Sequence, residues 1–307
     1  GTSVTTGVKN TLIGGLAGDA LTSGQENVAV GYNALSTEDA NSRNVAIGND
    51  TLASLDAGAE GHNVAVGYSA AYLMSTGIQN TIIGAAAGDA ITTGASNTVL
   101  GYQALTTANS TESQNVAIGA YSLNAMDNGS TTNTHNTALG YYSGVAVTTG
   151  RQNTILGALT GDALTTGTNN IIIGYNAAAS AVDANNEITL GDANISAFRC
   201  ADQSIAALSD GRDKSEVEES PYGLEFINKL KPVKFTWDFR PEHMSDTKQG
   251  KSRVGFIAQD LQEAMPNNDN DVLDLVYEIS ENRLEAKYGN LIPVMAKAIQ
   301  ELSEEVK

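Results

Sequence analysis

A serine and a lysine stand five positions apart in a short polar stretch, at Ser209 and Lys214. A serine hydroxyl attacks a carbonyl only when a base removes its proton, and a lysine serves as that base when burial or a neighbouring cation destabilises its ammonium form. Arg212 supplies such a cation, and Asp210 is placed to orient or restrain the lysine. Because the Ser209 amide is the peptide bond to Leu208, attack by the serine or by a positioned water predicts scission between Leu208 and Ser209. The alternative is a polar loop without chemistry.

This stretch lies at a sharp change of composition. Residues 1–208 contain 4 basic and 15 acidic side chains, whereas residues 209–307 contain 13 and 20. All five prolines and the only tryptophan, Trp237, come after Ser209. The composition therefore predicts a repetitive N-terminal part and a globular C-terminal part.

The N-terminal part repeats a short unit of Asn, Thr or Val, a small or apolar residue, an Ile, Leu or Val, and then Gly. Most copies follow each other after 17 residues, and the longer spacings of 18, 19 and 21 place extra residues in surface loops. This period predicts a β-solenoid with one strand per apolar triplet, a glycine at each turn, and stacked asparagines that pair amide to amide. The asparagines are Asn10, Asn27, Asn44, Asn63, Asn80, Asn97, Asn115, Asn136, Asn153 and Asn170, and Glu187 replaces the asparagine in the last copy.

A larger unit of four turns overlies the first. The stretch that begins at Asn10 recurs at Asn80 and Asn153, and each time a Gly-Tyr pair comes one turn later. Eleven turns with strands about 4.8 Å apart predict a rod on the order of 50 Å long. The first turn begins inside a repeat, so we expect the shaft to continue upstream.

Three ligand-binding or enzymatic types of solenoid fit these repeats poorly. Hexapeptide acyltransferases favour turns of 18 residues and need a histidine at a subunit boundary, whereas His62 and His135 lie in lengthened loops. Ice-binding solenoids need an unbroken threonine face, and valines interrupt this one. Calcium-binding repeats need an acidic residue in every turn, whereas Asp19, Asp89 and Asp162 recur every fourth turn and are expected to form turns. No metal and no other cofactor is expected.

Tyrosines follow the turn glycines, and two roles for them are open. They either pack between chains or contact a receptor or a glycan. They are Tyr32, Tyr68, Tyr102, Tyr121, Tyr141, Tyr142 and Tyr175.

The charge and the apolar content exclude some partners. A net charge of −18 at pH 7 repels nucleic acid and anionic membranes. No run of eighteen apolar residues occurs, so no membrane insertion is expected. The single cysteine, Cys200, cannot form an internal disulfide and is predicted to be a small buried side chain.

Helical and strand patterns alternate in the C-terminal part. Its last helix carries apolar residues at spacings of 3, 4, 3 and 4, which is the pattern of a coiled-coil seam: Ile292, Met295, Ile299, Leu302 and Val306. A seam this short does not hold alone, but it suits a nucleus that aligns three chains while the domain packs around it. The other predicted elements are a helix at Tyr222–Leu230, a strand at Val233–Trp237, a polar loop at 241–251, a strand end and short helix at Gly255–Met265, a turn at 267–271 and a strand at Leu273–Tyr277.

Two parts of the chain resemble known families. The repeats are similar to the β-roll heads of trimeric bacterial adhesins and to phage tail fibres, and Asn44–Gly48 and Asn115–Gly119 are close copies of the adhesin turn. From Ala207 onward the sequence resembles the intramolecular chaperone auto-processing domain of phage tailspikes and tail fibres, endosialidase type. Its hallmark, Ser-Asp-x-Arg-x-Lys and an apolar residue three positions further on, is met by Ser209, Asp210, Arg212, Lys214 and Val217, and later blocks match at Leu230–Trp237, Val254–Asp260 and Tyr288–Pro293.

The second resemblance implies a self-cleaving serine peptidase that acts once, with Ser209 as nucleophile and Lys214 as base. It also implies that the domain guides three chains into a trimer and then cuts itself off before Ser209. The seam residues Ile292, Met295, Ile299 and Leu302 are expected to join the three chains.

The sequence as a whole predicts a mostly β protein. A trimeric β-solenoid or β-roll shaft at residues 1–191 is followed by a neck at 192–208 and a small α+β chaperone domain at 209–307 that ends in a coiled-coil helix. The resemblances imply the distal part of a phage tail fibre, assembled in the host cytoplasm and carried by the virion, which binds a host receptor or glycan and an upstream fibre. The alternative is a trimeric bacterial or phage adhesin whose C-terminal domain trimerises without cutting.

Overall fold

The structure is a computed structural model. It describes residues 1–40, 42–58, 60–107, 111–127, 129, 133–201, 209–238, 240, 249–266, 269–280 and 283–307. These residues form two compact units, Gly1–Ala193 and Asn194–Lys307. Within the described residues, no helix has the length and apolar character that a membrane span needs.

The first unit is the predicted β-solenoid, with about ten turns where the repeats predicted eleven. Eleven strands of three residues form one parallel sheet in chain order, and each strand pairs with the next in register, so that Thr11 lies opposite Val28. The strands are β1 Thr11–Ile13, β2 Val28–Val30, β3 Val45–Ile47, β4 Val64–Val66, β5 Thr81–Ile83, β6 Thr98–Leu100, β7 Val116–Ile118, β8 Thr137–Leu139, β9 Thr154–Leu156, β10 Ile171–Ile173 and β11 Ile188–Leu190.

The middle residue of each strand points into the solenoid, because successive side chains of a strand alternate between its two faces. Ala46 and Ile82 are fully buried in this way, and only the middle residues of the first and last strands, Leu12 and Thr189, remain half-buried. The first and third residues of every strand point outward, and none of them is buried.

In several turns a middle strand residue and the residue six positions later form a pair of complementary size. Where the middle residue is Leu12, Ile82 or Ile155, the later one is glycine: a Cβ placed on Gly88 would lie 3.1 Å from Ile82 Cδ1. Where the middle residue is Ala46, the later residue is Leu52, and both are fully buried. In these turns the two positions exchange volume, as expected of interiors that tolerate neither voids nor overlap.

Each strand ends at a glycine whose backbone no other residue fits. Gly101 has φ of +144°, and a Cβ placed there would lie 2.5 Å from the carbonyl carbon of Gly119 in the next turn. The turns also use left-handed residues that are not glycine, such as Gln79 at φ +60° and Gln152 at φ +57°. The sequence gives no signal for these, because such angles are uncommon outside glycine.

The buried asparagines form the predicted ladder, with the backbone as a further partner. Asn97 Oδ1 accepts the backbone N–H of Asn115 at 3.0 Å, and Asn97 Nδ2 donates to Asn80 Oδ1 at 3.1 Å. Amide pairing therefore occurs, while each Oδ1 also satisfies a main-chain donor of the next turn. At Glu187 the ladder ends, because this carboxylate accepts hydrogen bonds from Ser180 and Thr189 instead.

The second unit is small and mixes helices with two antiparallel hairpins. Its core contains Phe226, Leu261, Leu275, Leu291 and Val294. Its elements are α1 Leu224–Ile227, β12 Val233–Thr236, β13 Ser252–Gly255, α2 Ala258–Ala264, α3 Asn270–Leu273, β14 Val276–Ser280, β15 Arg283–Ala286 and α4 Leu291–Glu305, with 3-10 turns at Gly211–Asp213 and Tyr288–Asn290.

Several local predictions for this unit need correction. The first helix is shorter than Tyr222–Leu230, because it begins only after Gly223, where the Leu224 N–H is taken up by Glu301. The strand predicted from Leu273 begins instead at Val276. Residues up to Leu273 form α3, because the Asn270 side chain closes a loop by bonding both the N–H and the carbonyl of Val276.

A further correction concerns Cys200, in the first residues of the second unit. Cys200 is exposed, not buried, because it lies in a stretch without secondary structure whose residues face solvent. The first unit ends at Ala193, two residues beyond the predicted end of the shaft. Leu208 and the rest of 202–208, like 241–248 of the predicted polar loop and 267–268 of the predicted turn, lie outside the described residues, so the neck stays a prediction.

Candidate active site

Ser209 and Lys214 lie in hydrogen-bonding contact at the start of the C-terminal domain. Lys214 Nζ donates to Ser209 Oγ at 2.6 Å. A base within hydrogen-bonding distance of a hydroxyl is the geometry that proton removal requires. The lysine nitrogen and the serine oxygen are therefore close enough for a proton to pass between them.

A tight turn at Gly211–Asp213 holds the lysine in this position. Asp210 precedes the turn in an extended conformation, and its carboxylate accepts the Arg212 N–H at 2.9 Å. The Lys214 N–H donates to the Gly211 carbonyl at 3.3 Å, which closes the turn. A side-chain cap of this kind is the ordinary function of an aspartate that precedes a turn.

Asp210 and Arg212 also form an ion pair with each other. Arg212 Nε lies 3.0 Å from Asp210 Oδ1, and the guanidinium donates a second hydrogen bond to the other carboxylate oxygen. This hydrogen bond lowers the pKa of Asp210 and raises the pKa of Arg212. The predicted roles were a cation beside the lysine and an acid that orients it, whereas the structure pairs the two residues with one another. Both residues belong to the turn that precedes Lys214, and their supporting roles in catalysis stay predictions.

All four side chains of this site are exposed to solvent. A lysine gains strength as a base when its surroundings exclude water, because the ammonium form loses its hydration. The single chain therefore supplies the geometry of the pair without the desolvation.

The predicted seam lies on the exposed side of α4. Leu291, Val294 and Ala298 pack into their own domain, whereas Ile292 and Ile299 are 63% and 68% exposed. Met295 and Leu302 are exposed as well. The helix thus has one apolar face inside the domain and a second one on its surface, and the joining of three chains by the second face stays a prediction.

The structure also shows where the other singled-out residues of the shaft lie. His62 is exposed beside Glu60, with Nε2 3.7 Å from the carboxylate, and His135 is exposed too. Sequence reasoning missed one acidic group, in which carboxylate oxygens of Glu38, Asp39 and Asp56 lie within 4.8 Å of one another. These residues belong to successive turns, so only their stacking brings them together.

The tyrosines divide into an outer and an inner set. Tyr121 and Tyr142 are half-buried and touch each other at a ring-centroid distance of 4.7 Å. The outer set is exposed and recurs in every second turn: Tyr32, Tyr68, Tyr102, Tyr141 and Tyr175.

Fold and site together define a class of protein: a repetitive β-solenoid followed by a small domain that begins with a paired serine and lysine. Residues 209–270 match the family model of the chaperone of endosialidase. That family is a self-cleaving chaperone domain of the serine peptidase type. The match begins at Ser209 and includes the blocks Leu230–Trp237 and Val254–Asp260, while Tyr288–Pro293 lies beyond it. No curated protein and no solved structure matches the chain. A chaperone domain of this kind behind a β-solenoid fits a tail fibre or a trimeric adhesin.

Proposed function

We propose that the chain is the distal part of a phage tail fibre whose C-terminal domain aligns three chains, directs their folding and then releases itself. Cleavage occurs between Leu208 and Ser209. The observation that carries this proposal is the 2.6 Å contact of Lys214 Nζ with Ser209 Oγ at the first residue of the matched chaperone domain.

The reaction needs only groups of this chain and water. Lys214, as the neutral amine, takes the proton of Ser209 Oγ while this oxygen attacks the carbonyl carbon of Leu208. The bond from that carbon to the Ser209 nitrogen breaks as the nitrogen receives the proton from Lys214, which leaves an ester on the serine side chain. Water then hydrolyses the ester, giving a carboxyl group on Leu208 and restoring the Ser209 hydroxyl.

Cleavage follows assembly in this proposal because the pair is exposed in the single chain. Neighbouring chains of the trimer cover Lys214 and exclude water, which turns a positioned ammonium into a base. The exposed apolar side of α4, with Ile292 and Ile299, supports a trimer that forms first through this helix.

The repeats of the shaft explain why its folding needs a chaperone. Its turns differ little from one another, so two chains shifted by one turn lose few interactions and fold out of register. A trimer nucleated at the C-terminus fixes the alignment. Once the domain is released, the shaft has lost its folding template and could not refold correctly. It persists because it unfolds slowly.

The shaft is the part that meets the host cell. In the assembled virion it extends from an upstream fibre and presents its side chains to a receptor or a glycan on the host surface, after assembly in the host cytoplasm. The exposed outer tyrosines and the lengthened loops before Asn63, Asn115 and Asn136 support an outer surface built for contact.

The masses of the purified products test this proposal. Wild type is expected to give products of 208 and 99 residues from a chain of 307, with the larger one a trimer, whereas Ser209→Ala stays intact and trimeric. Ser220→Ala is the matched control, because its hydroxyl contacts the backbone of Tyr222 and no lysine. An intact wild-type trimer would support the non-cleaving adhesin instead, and a monomer would contradict both.

A further inference from the structure

An ion pair attaches the segment that carries Ser209 and Lys214 to the body of its domain. We define the catalytic segment as residues 209–220, all of which are exposed. Among the described residues, its other hydrogen bonds join positions two to five apart, as between Lys214 and Ser209. Lys297 Nζ in α4, by contrast, donates to the carboxylate of Glu219 from 78 positions away. We call this ion pair the anchor.

The lysine of the anchor is fixed on its helix. Its side chain is only 21% exposed, whereas that of Glu219 is 79% exposed. A second carboxylate, that of Glu301, lies 3.7 Å from Lys297 Nζ and also accepts the Leu224 N–H at 2.6 Å. An ion pair between two mobile surface side chains is worth little, because both lose conformational freedom when it forms. Here the lysine is already ordered, so Glu219 binds to a site that exists without it.

A left-handed residue between Lys214 and the anchor indicates that the catalytic segment has a defined shape. Glu216 has φ of +54°. This conformation is unfavourable for a residue other than glycine and persists only where the surrounding structure holds it. Contacts stand on both sides of Glu216: the turn capped by Asp210 precedes it, and the contact of Glu219 with Lys297 follows it.

The helix that provides the lysine is also the helix predicted to join the chains. Lys297 is two positions away from the seam residues Met295 and Ile299, and two positions correspond to about 200° around an α-helix. Lys297 therefore lies outside the seam, and α4 meets the catalytic segment on a different side. Because a helix of 15 residues depends on packing for its stability, assembly through the seam stabilises the helix that holds this segment.

We propose that Lys297 is a positioning residue for self-cleavage, which holds the catalytic segment at one place on the domain where partner chains cover Lys214. This inference rests on the proposed function and adds the contact through which assembly acts on the site. Ser209 and Lys214 meet within their own turn, so their contact does not need the anchor. The exclusion of water does need it, because a segment that leaves the domain surface stays hydrated and its lysine keeps the proton.

The rate of self-cleavage and its dependence on pH test this role. Lys297→Met keeps the apolar stem and removes the cation, and it is expected to lower the rate about 10-fold to 100-fold in an intact trimer. The pH of half-maximal rate should also move upward, because a hydrated lysine releases its proton only at higher pH. Lys297→Arg keeps the ion pair and should cleave at nearly the wild-type rate.

The anchor itself keeps its charges across this pH range. The hydrogen bond from Lys297 lowers the pKa of Glu219 below its ordinary value of 4.5, and the same bond raises the pKa of Lys297 above 10.5, with Glu301 and Glu304 as further negative charges beside the lysine. Both partners are ionised between these two values. The charged residues of the turn before Lys214 are the same in all variants: Asp210, Arg212 and Asp213. A moved profile therefore reports the surroundings of Lys214.

A second variant removes the other partner of the anchor. Glu219→Gln changes an exposed side chain, so the fold is kept, and the same slower rate and upward shift are expected. The double variant Glu219→Gln with Lys297→Met should cleave no more slowly than Lys297→Met alone, because both substitutions remove one contact. Lys231→Met is the matched control: it removes an ion pair with Glu263 at 3.0 Å in the same domain and should change neither the rate nor the profile.

The outcomes separate failure of this inference from failure of the proposed function. If wild type cleaves and both Lys297→Met and Glu219→Gln cleave equally fast, the anchor has no positioning role and the proposed function stands. A lower rate with an unmoved pH profile also overturns the inference, because it indicates only a loss of folded protein. Glu219→Gln decides alone if light scattering shows that Lys297→Met does not assemble. A wild type that stays intact overturns both.

Discussion

Lys214 Nζ and Ser209 Oγ lie 2.6 Å apart, on either side of a turn that Asp210 caps. Both residues belong to this short local segment, and the contact is present in the single chain. Under the proposed function, the partner chains of the trimer supply the exclusion of water. This division between geometry and desolvation leads to the first two predictions.

Replacing Lys214 by arginine is expected to abolish cleavage. The guanidinium still donates a hydrogen bond to Ser209, but arginine does not release its proton in the accessible pH range. Loss of the general base is expected to lower the cleavage rate about 100-fold to 10,000-fold. The rate is measured from the fraction of cleaved chain over time. Lys229→Arg, in an exposed pair with Glu225, is the control and should cut normally. Cleavage by Lys214→Arg at the wild-type rate would show that another group is the base.

Substitutions of Asp210 are expected to slow cleavage in a graded way. Asp210→Asn keeps an acceptor for the Arg212 N–H and loses the ion pair, whereas Asp210→Ala loses both. We therefore expect the order wild type, Asn, Ala in the cleavage rate, with an unchanged oligomer by light scattering. Equal rates in all three would contradict a role of the cap.

The pH dependence of this cap has a defined sign. The Arg212 hydrogen bond lowers the pKa of Asp210 below its ordinary value of 3.8, so its contribution is fully present above that value and is lost only as the pH falls through the lowered one. Between about pH 5 and pH 8 the cap stays ionised. Wild type and Asp210→Asn should therefore show rate profiles of the same shape in this range. A profile that changes shape in the Asn variant would contradict this.

The complementary pairs of the solenoid interior predict a rescue. Ala46→Ile overfills the space beside Leu52 and is expected to lower the free energy of unfolding by about 1–3 kcal/mol. Adding Leu52→Gly recreates the pair seen at Ile82 and Gly88, so the double variant should lose less stability than the sum of the two single losses, by about 0.5–3 kcal/mol. In the control that combines Ala46→Ile with Leu73→Gly, an exposed site, the two changes in the free energy of unfolding should be additive. Chemical denaturation measures all of these variants.

Removing one rung of the asparagine ladder is expected to destabilise the shaft. Asn97→Ala leaves the buried N–H of Asn115 and the carbonyl of Glu112 without their present partner, at a cost of about 1–3 kcal/mol each. Asn185→Ala removes a similar pair of hydrogen bonds at an exposed site, where water replaces them. The midpoint of thermal unfolding should fall for Asn97→Ala and hardly change for Asn185→Ala.

Asp89 is expected to make the shaft more stable at acid pH. Burial raises the pKa of its carboxyl, and its Oδ1 is buried without a hydrogen-bond partner. The folded chain therefore binds the carboxyl proton of Asp89 more tightly than the unfolded chain does. The cost of burying the ionised carboxylate lowers the stability above the raised pKa, and this cost disappears as the pH falls to the ordinary value of 3.8. Asp89→Asn should raise the unfolding temperature at pH 7 and flatten its pH dependence. Asp162→Asn, at the matching exposed position, should change neither.

The sequence by itself determined the solenoid, because its signals are local and repeated many times. The 17-residue period, the glycine after each triplet and the leading asparagine each indicate one short backbone geometry, and ten copies agree, while the eleventh has Glu187 in place of the asparagine. The same holds for α4, whose apolar spacing shows in the chain itself. The serine and lysine also stand out in the sequence, because a single turn separates them.

Only the tertiary structure decided how side chains meet across a turn or between turns. The pairing of Asp210 with Arg212, the exchange of volume between Ala46 and Leu52, and the exposure of Cys200 all depend on distances through space. The outward surface of the solenoid sheet belongs to this group: each triplet predicts one strand, but only stacking joins the outward residues of eleven strands into one surface. The periodicity of the sequence predicts the backbone conformation of each turn, because that conformation is local. Contacts between residues far apart in sequence form only when the turns have folded and stacked.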